Sequence, residues 1–133
     1  NHLDYVLKSA KKSVTIMTTT QGLIRKIEGL KSTLEAIKKK GVQIRLAAPI
    51  TKATKSAVKS LKSIADIRNT TNIKARFCIV CGKDLTFMVL DDQDVHPTYD
   101  VGVWVNTPFF ASAVEGLFNA NWADMKPAEK VLK

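Results

Sequence analysis

The sequence lacks a long apolar segment and has only two cysteines, and both features narrow its class. No hydrophobic run approaches the roughly 20 residues of a membrane-spanning helix, and no signal-peptide pattern opens the chain. Two cysteines among 133 residues do not form a disulfide framework of the kind found in small secreted domains. We therefore expect a cytoplasmic protein with reduced thiols and no membrane partner.

Acidic residues are scarce in the first part of the chain. Residues 1–76 contain 17 Lys and Arg against 4 Asp and Glu, whereas residues 77–133 contain 4 against 8. This asymmetry favours an anionic partner without identifying one. The length suits one domain, and 45% hydrophobic with 25% charged residues is typical of a globular protein.

Hydrophobic periodicity predicts the element order β-α-β-α-β-β-β-β-α after the end of an incoming helix. Predicted strands cover residues 13–18, 41–47, 64–68, 72–80, 85–90 and 99–105, and predicted helices cover residues 23–40, 51–63 and 108–126. The first strand, helix and strand form a βαβ unit, so those two strands should be parallel. The expected fold class is α/β, a mixed sheet with helices on both faces.

Two of the predicted helices carry clear end signals and one apolar stripe each. The first stripe is Leu23, Ile27, Leu30, Leu34 and Ile37, and Gly41 should close that helix in the left-handed conformation. The last helix should begin with Thr107 as N-cap and Pro108 in the first turn. Its predicted stripe is Phe110, Val114, Leu117, Asn121 or Trp122, and Met125.

A row of lysines at helical spacing lies on the second predicted helix: Lys52, Lys55, Lys59 and Lys62. Such a row is either a solvated face or a contact with phosphate or another partner. No aromatic residue interleaves with the lysines, which argues against single-stranded nucleic acid. The solvated face is the preferred interpretation.

Threonines follow the first predicted strand, where Thr18 and Thr19 precede Thr20. Hydroxyl groups at the carboxyl end of a strand either cap the next helix or line a crevice. Capping is the more common role. Both positions are nevertheless candidate ligand-binding residues.

The stretch from Asn72 to Leu90 predicts a hairpin around Gly82, Lys83 and Asp84. Phe77 to Val80 is apolar apart from one thiol, which indicates a central strand. Lys74 and Arg76 are two residues apart and should therefore leave the same face of that strand. Two cations beside a buried strand either pair with acidic residues or bind an anionic ligand.

This stretch resembles the phospholipase D signature, which is His-x-Lys-x-x-x-x-Asp followed by Gly. Lys74 stands in the His place, Arg76 in the Lys place, Cys81 in the Asp place, and Gly82 in the Gly place. Catalysis in the family uses the histidine as a nucleophile on phosphorus, and neither lysine nor cysteine reproduces that chemistry. The resemblance therefore implies a half-domain of that fold that is not an enzyme.

Further segments are similar to the sensory domains of archaeal TrmB-type transcription regulators. They are residues 10–16, 40–45 and 103–108, followed by Leu117, Phe118 and Trp122. The resemblance implies a homodimer that binds a small anionic or polyhydroxylated effector near Lys74, Arg76, Cys81 and Asn106. It also implies that residues 1–133 are one sensory domain of a longer chain. DNA would be bound only through an N-terminal winged helix that is not visible here.

Cys78 and Cys81 offer an alternative function in metal or redox sensing. Together with His96 or Asp92 they could supply ligands for zinc. On a continuous strand, however, side chains three residues apart point to opposite faces. Buried thiols without a cofactor are the preferred interpretation.

Overall fold

The computed structural model describes residues 2–70, 73–93, 96 and 101–132, without the side chains of Lys26 and Glu28. The strands are β1 (Ser13–Met17), β2 (Gln43–Ala48), β3 (Asp66–Asn69), β4 (Phe77–Val80), β5 (Asp84–Met88) and β6 (Gly102–Asn106). The α-helices are α1 (His2–Lys8), α2 (Thr20–Gly22), α3 (Lys31–Lys39), α4 (Lys55–Leu61), α5 (Pro108–Trp122) and α6 (Ala128–Val131). The predicted order is confirmed, and the sequence analysis missed α6.

Some predicted features lie outside the described residues. They include Asn72 at the start of the predicted hairpin and Tyr99 at the start of the last predicted strand. Within the described part of the chain, no helix combines the length and apolar character needed to cross a membrane.

The strands form a six-stranded mixed sheet in the order β3-β2-β1-β4-β5-β6. β1, β2 and β3 are parallel, whereas β4, β5 and β6 each pair with their neighbours antiparallel. β4 lies between β1 and β5, and three of its residues are buried, so the prediction of a central strand is confirmed. The ends of β1, β2 and β3 lie together with the start of β4, and we refer to this side as the carboxyl edge. The opposite side, at Ser13 and Gly82, is the amino edge.

One face of the sheet is covered by α1, α3 and α4. Their buried residues, among them Leu7, Leu34 and Leu61, form one core cluster with Ile16 and Leu46 of the sheet. Burial of these apolar side chains supplies most of the driving force for folding. All five residues of the first predicted stripe are buried, as the sequence indicated: Leu23, Ile27, Leu30, Leu34 and Ile37.

The helix that carries this stripe is interrupted, although the sequence predicts a continuous one. α2 is followed by a π-helical turn (Leu23–Ile27) and a 3-10 turn (Glu28–Leu30) before α3 begins. Gly22 and Gly29 lie at the two ends of the irregular stretch, and glycine has low helix propensity. At the other end of α3, Gly41 has a φ of 94°. Its N–H donates to Lys38 O, and that of Val42 to Ile37 O, as in a Schellman motif.

The other face of the sheet is covered by α5. Thr107 caps this helix by accepting from the N–H of Phe110 at 3.2 Å, and Pro108 occupies its first turn, so both predicted start signals are confirmed. The predicted apolar stripe is wrong at Phe110 and Leu117, whereas Trp122 is buried and Val114 and Met125 pack partly buried against the core. Ala111, Phe118 and Trp122 are buried, whereas Phe110 is 50% and Leu117 69% exposed. The side of α5 that faces the sheet includes polar residues. A hydrophobic pattern counts such residues as solvent-facing, so it placed the buried side of the helix incorrectly.

The turn between β4 and β5 centres on Cys81 and Gly82, whose φ angles are 55° and 67°. The N–H of Lys83 donates to Val80 O at 3.1 Å. Two central residues with positive φ are the signature of a type I′ hairpin turn. The predicted turn is confirmed, but β4 ends before Cys81. Cys78 and Cys81 consequently pack against the same core cluster, and the prediction that they point to opposite faces is wrong.

Candidate functional site

A cavity of about 280 Å³ opens at the carboxyl edge. Its walls come from Thr19 shortly after β1, from the segment before β4, and from the end of β5 with the loop that follows. The lining residues are Thr19, Lys74, Ala75, Arg76, Phe77, Phe87, Met88, Val89, Leu90 and Asp91. A narrower cavity of about 50 Å³ lies next to it and shares Arg76 and Met88 with it. Thr18 lines this narrower cavity. Three of the six predicted ligand-binding residues therefore line the larger cavity, and a fourth lines its neighbour.

Arg76 is 8% exposed and forms the wall between these two cavities. Its guanidinium donates to the backbone carbonyl of Leu90 and lies 4.0 Å from Asp92 Oδ2. Asp92 is itself mostly buried, with 11% of its side chain exposed. A buried charge is tolerated when it is paired and hydrogen-bonded. For Arg76, the interpretation that the cation pairs with an acidic residue is therefore correct.

Lys74 has a different environment although it is only two residues away. Its side chain is exposed, and no ion pair links it to an acidic side chain in the described part of the chain. β4 begins at Phe77, so both residues precede the strand. Lys74 and Arg76 line the same cavity, but Lys74 is exposed whereas Arg76 is buried. Lys74 therefore contributes a positive charge to the cavity that no described carboxylate pairs with.

Thr19 has both of the roles that the sequence left open. Its side chain accepts from the N–H of Gly22 at 3.0 Å as the N-cap of α2, and its hydroxyl donates to Asp92 Oδ2 at 2.5 Å. Thr18 is 7% exposed, and its N–H donates to Ala47 O. A Cβ atom at Gly22 would lie only 2.1 Å from Thr18 Oγ1. Glycine at this position lets α2 start directly against the threonines.

Cys81 and Asn106 are not brought to this cavity, because both lie at the amino edge. Asn106 Nδ2 donates to Asp84 Oδ1 at 2.9 Å beside the β4–β5 turn. Cys81 Sγ accepts from the N–H of Lys11 at 3.4 Å. Burial raises the pKa of Cys81, but hydrogen bonds from backbone N–H groups of Lys11, Ser13 and Lys12 outweigh it, so the pKa lies below its usual value.

The residues of the alternative zinc site are dispersed over different environments. Cys78 lies in the core, and burial raises its pKa to about 12, which disfavours the thiolate form that binds zinc. Cys81 is partly exposed in its turn, and His96 is exposed. Within the described residues, no three or more His, Cys, Asp or Glu side chains are placed to hold a metal ion.

Asp92 is the residue of this region that the sequence analysis interpreted differently. From the sequence, Asp92 is a possible zinc ligand within an acidic stretch after Leu90, and such a stretch is typical of a solvated turn. Asp92 instead links Thr19 to Arg76. A buried Arg76 requires a counter-charge, and this requirement could have pointed to a buried carboxylate. Nothing local in the sequence, however, indicates which carboxylate supplies it. The contribution of Phe87 and Val89 to the cavity wall likewise depends on the hairpin register.

Comparison by sequence identifies no relative, since no family model and no curated protein matches the chain. Comparison by structure identifies several. TrmBL2, an archaeal chromatin protein with a novel mode of DNA binding, superposes with a TM-score of 0.74 at 14% identity, over 94% of this chain and 48% of that one. The present chain thus spans about half the length of TrmBL2.

Two further solved structures superpose equally well. NUC, a phospholipase D family member from Salmonella typhimurium, has a TM-score of 0.74 at 18% identity, over 95% of this chain and 88% of that one. NucT from Helicobacter pylori has a TM-score of 0.74 at 11% identity, over 96% and 89%. The predicted phospholipase D-like fold is confirmed, and the resemblance to TrmB-type proteins holds at the level of the fold.

Proposed function

Because the chain has a phospholipase D-like fold with Lys74 in place of the family's histidine, we propose that it is a sensing and self-association domain of a transcription regulator rather than a phosphodiesterase. An ammonium group has no lone pair with which to attack phosphorus. None of the described residues that line the cavity is a histidine. The fold that the chain shares with TrmBL2, a chromatin protein, supports a place in a DNA-associated protein.

The observation that carries the ligand proposal is the exposed Lys74 on the wall of a cavity. Arg76 already interacts with Asp92 and the Leu90 carbonyl, so its main role is to hold the cavity wall in place. Lys74 has no acidic partner among the described residues, and a charge-assisted bond to an anionic group of a ligand is therefore available to it. The effector in this proposal carries a phosphate or carboxylate group.

The remaining walls limit what else the effector contains. At about 280 Å³ the cavity is slightly smaller than the roughly 300–1,000 Å³ of drug-sized ligand sites, which suits a small metabolite. Phe77, Phe87, Met88 and Val89 offer apolar surface, and Asp91 offers a carboxylate that accepts hydrogen bonds from hydroxyl groups. A small polyhydroxylated molecule with one anionic group, such as a sugar phosphate, matches this combination.

Self-association is the second part of the proposal, and the outer side of α5 supports it. Phe109, Phe110 and Leu117 are 88%, 50% and 69% exposed. Phe110 and Leu117 are seven residues apart and therefore lie on the same side of the helix. Exposed apolar patches of this kind commonly mark protein contact sites. A second copy of the chain is the proposed partner.

The ligand proposal is tested by thermal unfolding with a panel of a sugar phosphate, the same sugar without phosphate, and inorganic phosphate. A ligand at about 100 times its Kd stabilises the folded state by about 2.7 kcal/mol, which raises the melting temperature by several degrees. We expect the sugar phosphate to do so most strongly. Lys74→Gln should abolish the shift, and Lys126→Gln, which removes an exposed charge elsewhere, should preserve it.

Three outcomes would contradict the proposal. The sensing role would be excluded if none of the panel stabilised the protein, or if both lysine variants responded equally. The non-catalytic role would be excluded if the chain hydrolysed a chromogenic phosphodiester above the buffer rate and Lys74→Gln removed that activity.

A further inference from the structure

The outer side of the layer formed by α3 and α4 is strongly basic. α4 and the 3-10 turn before it carry exposed Lys52, Lys55, Lys59 and Lys62, and the end of α3 carries exposed residues 38–40, which are all lysine. Both helices pack on the same face of the sheet, so their outer sides form one surface. We refer to these seven residues as the lysine surface. Lys11 and Lys12, which precede β1, extend it along the amino edge.

No carboxylate of the described side chains pairs with the charges of this surface. Between residues 31 and 65, all described, the sole acidic residue is Glu35, which pairs with Lys31 at 3.7 Å. Among the described residues, no member of the lysine surface has an acidic partner. Helix-dipole complementarity accounts for lysines at the end of α3, but not for a row along the whole of α4. An uncompensated row of this kind attracts an extended polyanion.

The arrangement of the row matches a rigid, regularly charged partner. The four lysines from Lys52 to Lys62 repeat at spacings of three, four and three residues, which places them on one side of α4 and of the turn before it. The row is about 15 Å long, given a rise of about 1.5 Å per residue. Duplex DNA carries one charge per about 1.7 Å of its axis, so such a row can contact several phosphates at once.

Other polyanions fit the surface less well. Residues 31–65 expose no large apolar side chain, whereas a helix that lies in a membrane surface needs an exposed apolar face. The apolar residues of α4, which are Ala57, Val58 and Leu61, are all buried in the core. No aromatic side chain is present in this range to stack with the bases of a single strand.

We propose that the lysine surface itself binds the phosphate backbone of duplex DNA without sequence specificity. This inference goes beyond the sensing function, since no residue that lines the ligand cavity belongs to the surface. It also revises the expectation that DNA contact requires a separate winged helix. Lysines without base-reading partners position a protein on DNA but do not specify a sequence. The domain would therefore hold a regulator on DNA and add to its affinity wherever it binds.

The test is fluorescence anisotropy with a labelled duplex of arbitrary sequence and with its labelled single strand. Binding to vesicles that contain anionic lipid is measured in parallel. We expect binding to the duplex that is tighter than to the single strand and that weakens steeply with salt. Lys55→Gln/Lys59→Gln should reduce the slope of log Kobs against log salt by about 2, since each phosphate contact contributes about 1. Lys126→Gln/Lys130→Gln removes the same charge from exposed positions outside the surface and should leave most of the affinity.

Each alternative result would overturn the proposal. Equal losses in the two double variants would indicate attraction by net charge alone. Tighter binding to the single strand would identify a different nucleic acid, and binding to vesicles alone would identify a membrane surface. Circular dichroism melting of both variants separates loss of binding from loss of folding. The ligand panel tests Lys74, which does not belong to the lysine surface. Failure of either proposal therefore leaves the other testable.

Discussion

At the residue scale, the environment of Arg76 shows how a single buried cation organises the carboxyl edge. Its guanidinium links Leu90 O to the Asp92 carboxylate, which in turn accepts from Thr19. Three chain segments that are distant in sequence are thereby held together. One oxygen of Asp92, Oδ1, is buried without a hydrogen-bond partner among the described residues. The carboxylate therefore depends on Arg76 and Thr19 for its stabilisation.

Removing Arg76 should destabilise the fold more than its packing alone implies. We expect Arg76→Ala to lower the free energy of unfolding by about 3 kcal/mol, because it leaves the Asp92 carboxylate buried without its counter-charge. Asp92→Asn added to this variant should restore about 1 kcal/mol or more, since the unpaired charge is then removed. Urea denaturation of the wild type, both single variants and the double variant measures the coupling.

The control for this cycle is Lys74→Ala, which removes an exposed cation two residues away. It should change the free energy of unfolding by less than about 0.5 kcal/mol. Strictly additive effects of Arg76→Ala and Asp92→Asn would show that the two side chains do not interact. The sequence could not separate the roles of Lys74 and Arg76, because two cations at i and i+2 look equivalent until the start of β4 is known.

At the element scale, α5 is held on the sheet by a polar cluster as well as by apolar packing. The hydroxyl of Thr15, a residue with no exposed surface, donates to Glu115 Oε2 at 2.8 Å and accepts from Arg45 at 3.1 Å. Arg45 also donates to Asn119 Oδ1 at 2.6 Å and lies 4.9 Å from the centre of the Phe118 ring. Polar residues on the inner side of α5 thus obtain their partners from β1 and β2.

Loss of the Thr15 hydroxyl should weaken this attachment. Thr15→Val keeps the shape of the side chain but leaves Glu115 and Arg45 without one hydrogen bond each, so we expect a loss of about 1–2 kcal/mol in the free energy of unfolding. Thr86→Val is the matched control, because Thr86 lies in β5 and makes no side-chain hydrogen bond within the described residues. Equal effects of the two changes in urea denaturation would show that the polar cluster does not stabilise α5.

The elements differ in how far the sequence predicted them. The start of α5 was predictable because Thr107 and Pro108 act locally on the helix backbone. Its buried side was not predictable, because Glu115 and Asn119 count as solvent-facing in any hydrophobic pattern until Thr15 and Arg45 are placed beneath them. In the same way, the stripe from Leu23 to Ile37 predicted burial correctly but not the π-helical turn within it.

At the scale of the whole molecule, the proposed functions occupy separate surfaces. The ligand cavity lies at the carboxyl edge, the lysine surface covers one face, and exposed apolar residues of α5 lie on the other face. The spacing of the signature indicated the first from the sequence, whereas a solvated face was the preferred interpretation of the lysine row, although the charge asymmetry favoured an anionic partner. The apolar surface could not be predicted, because Phe110 and Leu117 had been assigned to the core. In the proposed arrangement, DNA and a second copy would each bind without blocking the effector cavity.

Self-association through α5 is the consequence that depends most on this arrangement. Replacing Leu117, which is 69% exposed, should not disturb the core, but a charge there would have to be desolvated at an interface between two copies. We expect sedimentation velocity to show a concentration-dependent dimer for the wild type and a monomer for Leu117→Asp. Tyr5→Asp introduces the same charge at a 65% exposed apolar residue of α1 and should leave the dimer intact. If the wild type is monomeric at every concentration, or if Tyr5→Asp dissociates it equally, the outer side of α5 is not the contact, and sensing would have to act within a single copy of the chain.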